Sequence, residues 1–191
     1  MNLPDCIPGY REAVEAEART REAAFIRVPE FVAGIRVEPL TVRHTALLSQ
    51  LGAEIEPNAE TLELYLWVVS PDNTSRVAHQ LRCAWAFFRH GVDAVAESLE
   101  AWVSEQFADA PGQSDGSVFR VDNTSWVSRQ CDLLASEYGW EIETVLELPL
   151  RVTFQLEREI RRRHDGKAVF FNPSDKVRAR WLEKENKNAR N

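Results

Sequence analysis

Three glycines each close a run of apolar residues that recur every three or four positions. Gly52 follows VRHTALLSQL, Gly91 follows RVAHQLRCAWAFFRH, and Gly139 follows TSWVSRQCDLLASEY. That spacing lines one side of a 3.6-residue helix, and glycine readily takes the left-handed conformation that ends one. A chain punctuated in this way is committed to short helices that bury their stripes against one another. The fold class that follows is mainly α, a helical bundle. Thr41, Asn58 and Ser75 stand where helix N-caps are required, because their side-chain oxygens accept from the unpaired N–H groups of a first turn. In AETLELYLWVV, Leu62, Tyr65, Leu66 and Val69 share a face, and Leu64, Trp67 and Val68 widen it. Val77, Leu81, Ala84, Trp85 and Phe88 recur at helical spacing in the next and longest apolar helix, and Val95, Leu99, Trp102 and Phe107 in the one after.

Three stretches depart from this pattern. YREAVEAEARTREAAFI is rich in Ala, Glu and Arg but sparse in apolar positions, which predicts a peripheral helix held by one narrow face. FVAGIRVEPL, bounded by Pro29 and Pro39 and centred on Gly34, cannot be helical and reads as a short β-hairpin or extended arm near residues 30–40. In EIETVLELPLRVTFQLEREIRRR, Pro149 removes a backbone donor from the middle of a long stripe and kinks the helix or splits it in two. APGQSDGS is the clearest loop. Residues 1–164 therefore read as one helical domain with a hinge at 110–116, and 165–191 as a basic extension with a short helix after Ser174. DNTSRVAHQ and DNTSWVSRQ, at 72–80 and 122–130, repeat the same capping residues.

Charge divides the chain unevenly. Residues 151–191 hold 12 Lys+Arg and 6 Asp+Glu, leaving 11 basic and 24 acidic side chains in the first 150, for a net charge of −7. The basic end suits a solvated helix, an acidic docking partner or, less readily, nucleic acid; without a basic patch on the body, nucleic-acid binding is not the expectation. No run of about 18 apolar residues offers a membrane span. The start, MNLPDCIPGYREAV, lacks the basic-then-apolar order of a signal peptide, so a cytoplasmic location is expected. Cys6, Cys83 and Cys131, odd in number and widely spaced, then read as free thiols.

Chemistry-bearing patterns are few. His79 and Cys83 lie four apart and would share a helical face, as a metal pair or a Cys–His nucleophile requires, but no third ligand or glycine-flanked turn accompanies them. Neither phosphate-cradling glycine motif occurs. The expectation is a non-enzymatic protein without catalytic residues, cofactor or metal. A small enzyme gathering His79, Cys83 or Cys131 with carboxylates is the contrasting reading. Apolar and aromatic residues late in the chain are instead candidates for binding a protein partner or a second copy: Trp140, Leu146, Leu156, Ile160, Phe170, Phe171 and Trp181. Phe170, Phe171 and Trp181 could equally pin the tail to the body.

Three groups of residues carry a family resemblance. They are Pro39-Leu40-Thr41-x-Arg43-His44, Leu66-Trp67-x-x-Ser70-Pro71, and Gly139-Trp140 opening an apolar helix. Together they resemble small tail-assembly proteins of tailed bacteriophages and prophages, of the tail-assembly-chaperone kind. The resemblance covers about half of the chain. It implies a helical, non-enzymatic protein of the bacterial host cytoplasm. Such a protein binds the tape-measure protein, keeps its apolar helices soluble and helps tail-tube subunits assemble. A connector or other phage structural protein is the neighbouring alternative.

Overall fold

The caps foreseen in the sequence fix where the helices begin. In the computed structural model, which describes residues 7–26, 28–52, 55–72, 74–110, 125–164 and 177–183, the elements run α1 (Tyr10–Ala23), β1 (Glu30–Val32), β2 (Ile35–Val37), α2 (Val42–Leu51), α3 (Ala59–Val69), α4 (Arg76–His90), α5 (Val92–Gln106), α6 (Trp126–Tyr138), α7 (Ile142–Leu146) and α8 (Leu150–His164). A last helical stretch, α9, covers 177–183. The fold is thus mainly helical, with one two-stranded antiparallel hairpin. Thr41 and His44 form a reciprocal capping box: the Thr41 hydroxyl accepts from the His44 amide at 3.2 Å and His44 Nδ1 from the Thr41 amide at 3.3 Å. Asn58, Ser75 and Ser125 cap α3, α4 and α6. Gly52 and Gly139 end α2 and α6 at φ 59° and 68°, where a side chain would strain the backbone.

The hairpin turns through Ala33 and Gly34, both at positive φ (47° and 82°), the geometry that matches the twist of paired strands. It turns Val32, Ile35 and Val37 inward and Phe31 outward. Glu30 anchors it to α5 by accepting from Trp102 Nε1 and, at 3.1 Å, from Gln106 Nε2. The main core joins these strands to α2–α5 and to Leu150 and Phe154 of α8. A smaller core of Cys131, Leu134, Val145 and Ile160 holds α6, α7 and α8 together.

Pro149 splits the long stripe into α7 and α8 rather than merely bending it. The break has a structural use. Pro149 pairs with Thr41, Leu150 donates to the Leu40 carbonyl at 2.6 Å, and Val42 donates to the Leu148 carbonyl at 3.2 Å. A backbone that cannot continue as helix thereby ties α8 to the start of α2. The hinge foreseen at 110–116 falls, apart from Ala110, outside the described residues.

α1 occupies the peripheral place expected of it, with no buried residue. Polar contacts hold it. Arg151 Nη2 donates to the Thr20 carbonyl at 3.0 Å and Gln155 Nε2 to the Arg21 carbonyl at 3.2 Å, which satisfies acceptors at the end of the helix. Asp109, buried at the end of α5, accepts from Arg151 and Gln155 at 3.2 and 3.1 Å and faces Arg21 at 4.0 Å.

Candidate protein-docking face on α4

α4 has two edges that could enter a core. One carries Val77, Leu81, Trp85 and Phe88, the line picked out by spacing. The other carries His79, Cys83 and Ala86. The second edge is the buried one, at 0%, 0% and 2% exposure. The large residues face outward instead, with Val77 and Leu81 66% exposed, Trp85 60% and Phe88 84%. Through Cys83 and Ala86, with Phe87 half-buried beside them, α4 packs into the main core against α3 and the hairpin. Trp85 and Phe88 lean together, ring centroids 6.2 Å apart.

Two grooves flank α4. A groove of about 400 Å³ runs beside its C-terminal half, between the hairpin turn at Ala33–Gly34 and Arg82, Trp85, Arg89 and His90. A second groove, about 290 Å³, lies between α3 and the start of α4 and is lined by Glu60, Glu63, Leu64, Trp67 and Arg76. α4 itself contains no carboxylate. Arg82 is held back by Asp72, donating to its carbonyl at 2.9 Å. A soluble monomer seldom exposes a continuous apolar patch of more than a few hundred Å² unless that patch has a use. Trp85 and Phe88 alone present on the order of 300 Å².

Under the stripe lies the pair with the spacing for nucleophilic chemistry. His79 Nε2 donates to the Glu63 carbonyl at 3.1 Å and lies 3.3 Å from Cys83 Sγ. Trp67 meets the imidazole edge to face at 5.1 Å. Burial lowers the His79 pKa and pushes the Cys83 thiol up to about 12. The result is a neutral thiol beside a neutral ring, both sealed from solvent, and a thiol in that state is a poor nucleophile. Cys131 lies apart, in the smaller core. Among the described residues no group of three His, Cys, Asp or Glu side chains is placed to hold a metal. A cavity of about 170 Å³ beside Arg36, Glu38, Pro39 and Glu147 is small beside the ~300–1,000 Å³ of ordinary ligand pockets.

The late aromatic and aliphatic residues singled out as partner contacts occupy different situations. Ile160 is buried in the smaller core, and Leu146, Leu156 and Trp140 are half-buried against it. Trp140 stacks on Tyr138 at 4.8 Å. The chain's own α6 therefore covers most of that stripe. Trp181 is half-exposed on α9, while Phe170 and Phe171 lie outside the described residues. Spacing had marked the α4 stripe as apolar, and nothing in it indicated that the stripe faces solvent.

No protein-family model, curated protein or solved structure matches this chain. Among the described residues no helix is long and apolar enough to cross a membrane.

Proposed function

We propose that this chain is a non-enzymatic binding protein of the tail-assembly-chaperone kind. In this reading it shelters an apolar helix of a large tail protein, of the tape-measure type, on the outer face of α4. The single observation that carries the reading is the exposed line Val77–Leu81–Trp85–Phe88 on a well-capped helix. An apolar stripe with anchors three and four residues apart is a surface against which the apolar side of a client helix can pack. The acidic body supports the role, since a net charge of −7 keeps a complex with an apolar client soluble. The residues of the family resemblance serve the same scaffold. Leu40, Thr41 and His44 set the start of α2, Leu66 is buried in α3, and Gly139 ends α6.

Co-expression with a helical segment of a phage tape-measure protein tests the reading. The expected result is a soluble segment with the wild-type chain and an aggregated one with Leu81→Glu/Trp85→Glu. A segment that stays insoluble with the wild type, or soluble with the double variant, would overturn it.

A further inference from the structure

We propose that α1 is a releasable strap: it leaves α8 as a unit while the hairpin and α2–α8 stay folded, and in leaving it bares a line of hydrogen-bond donors on α8. Both cores are complete without it. Among the described residues, neither core holds a side chain ahead of Val32. Ile7, the buried apolar residue just before α1, belongs to neither. The helix has one half-buried edge, formed by Tyr10, Ala13, Glu17 and Arg21. That edge carries one aromatic ring and no branched aliphatic side chain, so little apolar surface returns to water when it lifts. Gly9, at the start of the helix, supplies no side-chain cap.

The latch is shared between strap and body. Arg151 and Gln155 each donate twice, once to α1 and once to Asp109. The carbonyls of Thr20 and Arg21 accept at 3.0 and 3.2 Å, and the Asp109 carboxylate at 3.2 and 3.1 Å. When α1 lifts, both donors keep Asp109. The two freed carbonyls lie in or near the last turn of a helix, where water is an ordinary partner. Neither side of the latch is then left with a buried, unsatisfied group, the circumstance that ties an element to the global fold. Arg21 lies 4.0 Å from Asp109 and keeps its ion pair with Glu17, one turn back, after release.

The face beneath the strap has a definite chemistry. Arg151, Gln155 and Arg158 stand four and then three residues apart on α8, so they share one side of the helix. Arg158 is half-buried there, near enough to Arg21, Asp109 and Glu17 to feel their charges. Closed, this line takes the last carbonyls of α1. Open, it offers the same donors, two of them cationic, to acceptor groups on another molecule.

Limited trypsin digestion of the full chain, followed by mass spectrometry, tests the proposal, because cleavage within a helix follows its opening. We expect the bonds after Arg19 and Arg21 to be cut on the order of tenfold faster, or more, than those after Arg82 of α4 and Arg158 of α8. The severed protein should keep the near-UV circular dichroism of its tryptophans. Gln155→Met removes one donor of the latch and should speed the α1 cuts roughly fivefold, with the cut at Arg82 unchanged. Arg21→Met alters the strap alone and should speed cleavage after Arg19 about threefold. Cleavage in α1 no faster than in α4 overturns the proposal. Loss of the near-UV signal once α1 is severed overturns it too. So do α1 cuts that neither substitution accelerates, or that accelerate only in step with the cut at Arg82.

Discussion

Two residues show how burial, rather than residue type, decides what a side chain does here. His79 carries a group that could act as a base, but it is fully enclosed, and burial lowers its pKa. His44 is shifted the same way, chiefly by burial, while its Nδ1 completes the α2 capping box. In the unfolded chain both rings take up protons near pH 6.5. The folded state resists that uptake, so stability is full above about pH 6.5 and falls as pH drops toward the folded values. Urea unfolding at pH 7 and pH 5 should show a lower midpoint in acid, and His79→Leu should narrow the gap. An equal gap in that variant would assign the acid sensitivity elsewhere. Ala33 offers a second test, because it holds φ 47° where Asn or Gly is at home. Ala33→Asn creates the Asn-Gly pair that such turns favour and should stabilise the protein by about 0.5–1 kcal/mol in chemical denaturation.

Among the elements, α1 has no buried residue, and polar contacts from α8 hold its C-terminal end. Asp109 gathers Arg151, Gln155 and Arg21 beneath it. Asp109→Ala leaves part-buried cations less compensated and should cost about 1–3 kcal/mol. Hydrogen exchange should show residues 10–23 losing protection before α3 or α5; uniform loss would mean that α1 is integral to the main core. Helix positions were largely legible, because Thr41, Asn58, Ser75 and the glycines after them are local signals that tertiary packing had no reason to override. The inward face of α4 was not. Periodicity says which residues lie on one side of a helix, and that side normally turns inward because burying large apolar groups is favourable. Here the opposite edge, His79–Cys83–Ala86, also lacks full charge, so both edges could enter a core. The close approach of α3 and the hairpin turn selected the smaller one. The burial of the late stripe through Leu146, Leu156 and Ile160 was illegible for the converse reason. Its covering element, α6, stands some 20 residues earlier, and spacing within one helix carries no word of a neighbour.

At the scale of the molecule, an acidic body carries an exposed apolar line along α4. The site was half legible: the residues of the α4 stripe were visible in the sequence, their exposure was not. The backbone pairing of Leu40–Val42 with Leu148–Leu150 has a consequence for biosynthesis. The first turn of α2 and the entry to α8 meet across more than a hundred residues, so a ribosome must deliver most of the polypeptide before that suture can close. Until then the hairpin and α2–α5 wait without Leu150 and Phe154, and a nascent chain spends its longest interval with its core open at one side.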